Sequence, residues 1–129
     1  MESRPILHPF EEDLSFLYGT IFIGGPVSEG LDSRNVCIFA EGEVDRCPTG
    51  SGVSGRMPIH YKRGEISIGD TMTIESITGS VFTGSVIKEL AYGPYQAVIP
   101  QVEGTAHITG QHEFLIDPND PFKFGFFLR

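Results

Sequence analysis

Short apolar runs broken by glycine set the pattern of this chain. Leu14–Ile23, LSFLYGTIFI, is apolar and rich in aromatic and β-branched residues, and predicts a buried strand stopped by Gly24, Gly25 and Pro26. After the loop VSEGLDSR, the run NVCIFA (Asn35–Ala40) predicts a second short strand closed by Glu41-Gly42. VDRCPTGSGVSGRMPIHY (Val44–Tyr61) then reads as the end of an apolar strand, a glycine-rich turn and a short helix. Gly55 and Pro58 fall inside that helix, so a kink or an irregular start is expected, because proline removes a backbone hydrogen bond and crowds the preceding turn. Lys62, Arg63 and Gly64 provide its end, with cations near the negative pole and glycine as cap.

From Glu65 onward the segments shorten. EISI, TMTIESI, SVFTGSVIKEL, YQAVIPQVEG and TAHITGQHEFLI predict strands of an antiparallel meander or a strongly curved sheet. Ile74, Ile77, Phe82, Val86, Val98, Ile99, Val102 and Ile108 are its expected core. At the other end, Met1–Asp13 is polar, carries Pro5 and Pro9 and has no period, so it is expected to be a lead-in or linker that does not fold alone. The pattern as a whole predicts an α+β chain of one domain, a size sufficient to bury a core at 129 residues.

Composition narrows the partners. A net charge of −8 with scattered Lys and Arg argues against a nucleic-acid surface, which needs clustered basic residues to meet phosphates. No apolar run approaches the length of a bilayer-spanning helix, so no membrane partner is expected. Cys37 and Cys47 do not make a disulfide framework, and without an N-terminal signal peptide the expected setting is a reducing cytoplasm. His107 and His112, five apart in an expected strand, would face opposite sides, while His8 and His60 lie elsewhere, so no metal site is expected.

The turn itself offers chemistry. Asp45, Thr49 and Ser51 gather beside a helix start whose first N–H groups lack intrahelical partners, and Gly50 and Gly52 let a bound group approach the backbone. A steric need for glycine at a strand-to-helix turn explains the same residues equally well. TGSGVSG lacks the lysine of a phosphate-binding loop and the nucleophile elbow of a hydrolase, which leaves nucleotide binding as a weak alternative.

DRCPTGSGVSGR resembles the second active-site motif of the proline racemase and trans-3-hydroxy-L-proline dehydratase family, written DRSPCGTGTSAR in the racemases. The likeness continues through FLYGTIFIGGP, LDSRNVCIFAEGEVDR, ESITGSVFTGSV, YQAVIPQVEGTAHITG and HEFLIDPNDPF. It implies a diaminopimelate epimerase-like half, a curved, mostly antiparallel sheet around a central helix, with the active site in the cleft between two such halves and no cofactor. The chain is expected to be the C-terminal half, residues 14–129, either a truncated product or an excised fragment. Its tail from about His112 would cross back to the missing N-terminal half. Exposed apolar surface is then expected where that half docks, with self-association or a homodimer as a consequence.

The departures from the racemase pattern bear on the reaction. Racemisation without a cofactor needs a base on each face of Cα, and in the racemases both are cysteines. Here Thr49 takes the place of this half's cysteine, as in the dehydratases, and a hydroxyl is far too weak an acid to serve as a thiolate does. The resemblance implies a hydro-lyase acting on trans-3-hydroxy-L-proline or a similar imino acid. In it, a cysteine of the other half removes the α-proton and the 3-hydroxyl leaves as water, near Thr49. Asp45 would accept from the ring nitrogen, Gly50 and Ser51 would offer N–H groups to the carboxylate, and Phe39 would line the ring. Cys47, where the family pattern has serine, reads either as a relocated second base or as a small substitute for serine. The alternatives are a proline or hydroxyproline racemase or epimerase, and a truncated non-catalytic domain.

Overall fold

In the computed structural model, which describes residues 5–128, strands β1 (Gly19–Gly24), β2 (Ser33–Phe39) and β3 (Glu43–Val44) precede helix α1 (Gly50–Lys62). Strands β4 (Thr71–Glu75), β5 (Val81–Tyr92) and β6 (Tyr95–Gly104) follow it. They form one sheet in the order β1-β2-β4-β5-β6, with β3 paired to the end of β2. Every pairing is antiparallel except β2 with β4, where Ser33 lies opposite Ile74 and Arg34 opposite Glu75. The α+β architecture with a mostly antiparallel sheet is therefore the one the chain adopts.

Glycine closes the turns of the β4–β6 meander: Gly79 (φ 81°) and Gly93 (φ 58°) take the left-handed backbone that other residues resist. The expected strand YQAVIPQVEG matches β6 residue for residue. Pro100, which cannot donate to a ladder, is tolerated there because β6 lies at the sheet edge.

Helix α1 is poor in intrinsic propensity, with Gly52, Gly55 and Pro58 in its length, yet it runs unbroken through Pro58. Tertiary packing holds it. Val53 and Met57, one turn apart, are fully buried with Ile74 and Val86, while Met72, Phe82, Val98 and Val102 close around them. Burying Val53 and Met57 contributes roughly 1.5–3 kcal/mol each. Gly84 makes this approach possible: a Cβ there would lie 2.8 Å from Met57 Sδ and 2.9 Å from Val53 Cγ1. At the far end Gly64 (φ 71°) donates to the Tyr61 carbonyl, the expected glycine cap, with His60 and Lys62 in the last turn.

Several expectations fail. Residues 14–18 precede β1; Leu14 ends a short 3-10 turn (Glu12–Leu14). EISI is a loop whose Ile66 alone turns into the core, while Ile68 is exposed. TAHITGQHEFLI forms no strand: beyond Gly104 no described residue pairs in the sheet, so His107 and His112 do not occupy opposite faces of one. Ile108, expected in the core, is 99% exposed, and Ile77 and Ile99 are also on the surface. Alternation alone cannot make a strand where nothing lies beside it to complete the ladder. Of the lead-in, residues 1–4 lie outside the described residues; Pro9 and Phe10 lie against the β5–β6 turn, with the Phe10 ring edge-on to Tyr92.

Candidate active site

The end of β2 and the start of α1 bring the catalytic candidates together. Asp45 follows β3, and its N–H donates to the Cys37 carbonyl of β2 at 3.1 Å. Four residues later Thr49 is the N-cap of α1, its carbonyl accepting the first helical bond from Val53 at 2.8 Å. Most N-cap threonines turn their hydroxyl onto the helix N–H groups. Thr49 does not; its Oγ1 donates to Asp45 Oδ2 at 2.6 Å. The N–H groups of Gly50 and Ser51, the first residues of α1, thus receive no cap from Thr49 and lie at the positive pole of the helix.

That arrangement holds Thr49 at φ 68°, ψ 105°, backbone space that a β-branched residue rarely adopts. Both neighbouring carbonyls are anchored. The Arg46 carbonyl faces three hydroxyls from the β4–β5 turn, Ser76 at 2.8 Å, Thr78 at 2.6 Å and Ser80 at 3.1 Å. The Pro48 carbonyl accepts from the Asn35 side-chain amide at 2.9 Å. At Gly52 the helix meets β1 closely, since a Cβ there would lie 2.1 Å from Ile21 Cδ1.

Electrostatics separate the groups of the turn. The Thr49 hydroxyl holds the Asp45 carboxyl below its ordinary range despite partial burial, so it is an acceptor at neutral pH. Cys47 Sγ donates to Asp45 Oδ1 at 3.4 Å and accepts from the Thr49 N–H at 3.3 Å. Burial pushes the Cys47 thiol up, the bond from the Thr49 N–H opposes this, and the adjacent Asp45 carboxylate adds to the rise.

Phe39 lies on the same face of β2 as Cys37, and its ring stacks on Tyr18 with centroids 5.9 Å apart. It lines an open cavity of about 350 Å³ with Leu17, Tyr18 and Ala40, whereas Cys47 lines another of about 540 Å³ with Arg46, Thr78, Phe82 and His107. Among the described contacts none joins Phe39 to Asp45 or Thr49. Among the described residues no group of three or more His, Cys, Asp or Glu side chains could hold a metal, and no helix is long and apolar enough to cross a membrane.

The family profile described as proline racemase matches residues 1–127. The chain belongs to the proline racemase family. A trans-3-hydroxy-L-proline dehydratase of Colwellia psychrerythraea is 48% identical over 124 residues, which are 96% of this chain and 35% of that protein. A trans-3-hydroxy-L-proline dehydratase of Burkholderia cenocepacia is 46% identical over 97% of this chain and 37% of its own length. Among solved structures, a hydroxyproline epimerase from Agrobacterium vitis with bound trans-4-hydroxy-L-proline superposes with a TM-score of 0.79 at 30% identity, over 97% of this chain and 35% of that one. The chain spans about a third of the length of the curated relatives it matches.

Sequence reasoning missed the polar network behind this turn. Arg56 of α1, 5% exposed, donates through Nη1 to Ser33 Oγ at 3.0 Å and Asn35 Oδ1 at 2.7 Å. Its Nη2 meets His60 Nε2 at 3.0 Å, and His60 Nδ1 meets Glu65. Because arginine only donates, Nε2 of His60 accepts and its proton sits on Nδ1, toward Glu65. An asparagine inside the apolar run NVCIFA was the one available sign, since a polar residue on a buried strand face needs partners.

Proposed function

We propose that this chain supplies one wall of a trans-3-hydroxy-L-proline dehydratase site, with the base supplied by the remainder of the protein. The observation that carries the reading is the Thr49–Asp45 pair: a hydroxyl, not a thiol, stands at the helix start and is bonded to an ionised carboxylate. Cys47 beside it is held protonated by burial, so this wall offers no strong base.

In the proposed reaction the α-proton passes to a base on the facing wall, and the electrons of the C–H bond form the Cα–Cβ double bond. The C3–O bond breaks, its electron pair stays on oxygen, and the departing hydroxyl takes the proton collected by that base and leaves as water, which restores the base. Asp45 accepts from the ring nitrogen of the substrate, and the N–H groups of Gly50 and Ser51 receive its carboxylate at the positive end of α1. Thr49 hydrogen-bonds the departing hydroxyl, and Phe39 lines the ring. The names of the Colwellia and Burkholderia relatives support the substrate. The epimerase likeness of the Agrobacterium structure favours the second reading, hydroxyproline epimerisation, which would require Cys47 to act as a base.

Exposed apolar side chains beyond β6, among them Ile108, Phe114, Leu115 and Phe124, support a docking role for residues 105–128 against the rest of the protein or a second copy. Two free thiols, Cys37 and Cys47, fit a reducing cytoplasm.

The deciding experiment joins the chain to the complementary part of a dehydratase relative. The assembled enzyme is expected to dehydrate trans-3-hydroxy-L-proline, and in deuterated water to exchange the α-proton of L-proline without forming D-proline. Thr49→Cys places a thiol at the helix start and is expected to permit inversion. Ready formation of D-proline by the Thr49 enzyme would overturn the one-base reading in favour of Cys47.

A further inference from the structure

Thr49 keeps its unusual backbone only if its surroundings over-determine it, because such a conformation costs of the order of 1–3 kcal/mol. The hydroxyls around the Arg46 carbonyl fix the turn on one side. Nearer to Thr49 the fixed point is the carbonyl of Pro48, the fully buried residue before it, which belongs to the Pro48–Thr49 peptide. Its partner Asn35 is 1% exposed, and the orientation of that amide is not free. Arg56 donates to Oδ1 at 2.7 Å, which leaves Nδ2 as the end that faces Pro48. Arg56 is in turn held by Ser33 and by His60, which is backed by Glu65.

We infer that Asn35 is a positioning residue for the Asp45–Thr49 pair. Its amide, oriented by Arg56, holds the Pro48–Thr49 peptide in the plane that turns Thr49 Oγ1 to Asp45 and away from the N–H groups of α1. Without that restraint Thr49 relaxes to ordinary extended backbone, and its hydroxyl caps the helix as threonines at this position commonly do. For catalysis, which rests on the dehydratase reading, the consequence is that Asn35 keeps the first-turn N–H groups of α1 available to a substrate carboxylate.

The test uses nuclear magnetic resonance on the 129-residue chain. In the unaltered protein, scalar coupling across the hydrogen bond from the Asn35 side-chain amide to the Pro48 carbonyl carbon is expected, together with the strong intraresidue HN–Hα Overhauser effect of a positive φ at Thr49. Absence of the coupling overturns the inference, whether or not any variant folds. Asn35→Asp keeps an acceptor for Arg56 in the same shape but removes the donor and sets oxygen against oxygen at Pro48. It is expected to abolish the Thr49 Overhauser signature and shift the Gly50 and Ser51 amides, while the β5–β6 amides stay in place. A folded Asn35→Asp chain that retains the Thr49 signature defeats the proposal.

In the assembled enzyme the same substitution is expected to lower turnover by at least about tenfold, as small misplacements of reacting groups do. If the Thr49 signature is lost while dehydration continues at its full rate, the positioning role stands and the dehydratase reading of this wall falls.

Discussion

Replacing Thr49 by glycine and by alanine separates backbone strain from side-chain chemistry at one position. Both variants lose the bond from Oγ1 to Asp45, 2.6 Å long and made to a charged acceptor. For a half-exposed pair that loss costs about 1.5 kcal/mol, the lower end of the range for bonds to charged groups. Alanine keeps a Cβ at φ 68° and so keeps most of the strain. Glycine releases about 1–2 kcal/mol of it, offset by roughly 0.5–1 kcal/mol of extra freedom in the unfolded chain. The glycine variant is therefore expected to be more stable than the alanine variant by about 0.5–1 kcal/mol, the reverse of the usual order. Urea denaturation followed by circular dichroism reads the difference directly. An alanine variant as stable as the glycine one, or more so, would refute the strained backbone and with it the reason for the clamp on Pro48.

Three further outcomes are expected. Asp45→Asn, which keeps an acceptor for Thr49, should leave the fold intact and weaken substrate binding by about 1.5–3 kcal/mol in the assembled enzyme; calorimetry showing a lower melting temperature with unchanged affinity would instead make Asp45 a turn-former. Gly84→Ala forces a methyl to within 3 Å of Met57 and the stiff Val53, and should cost about 1–3 kcal/mol in chemical denaturation. Acid should unfold the chain as well. Asp45 is held low by the Thr49 hydroxyl, Asp32 by the Thr73 N–H and Glu75 by the Val27 N–H. Their contribution is complete above the ordinary carboxylate pKa of about 4 and is lost as pH falls through the lowered folded values. A melting temperature that stays flat across that interval would contradict these contacts.

The extent to which the sequence foretold the structure follows from where each segment finds its partner. β4, β5 and β6 were legible because glycines punctuate them and each pairs with its sequence neighbour. The turn and helix were legible because DRCPTGSGVSGR carries its own glycines between an apolar strand end and a helical run. EISI and TAHITGQHEFLI share the alternation of strands but meet no edge to complete, and alternation does not reveal that. Asp45 and Thr49 were expected beside the same helix start from the motif, but their 2.6 Å bond to each other was not foreseen. Asn35 and Arg56 were not expected together, because they lie 21 residues apart and meet through the packing of α1 on β2. On a helix an arginine reads as a surface residue until the opposing strand is known.

The anchoring of the turn bears on how readily this scaffold can change its chemistry. The backbone at position 49 is held from outside as well as by its own side chain, since the carbonyls of Arg46 and Pro48 are gripped by Ser76, Thr78, Ser80 and Asn35 from other strands and turns. A cysteine, which is not β-branched, meets a penalty there no greater than that of threonine. Exchanging the hydroxyl at position 49 for a thiol would thus alter the chemistry at the helix start while leaving the contacts that hold the turn from outside in place.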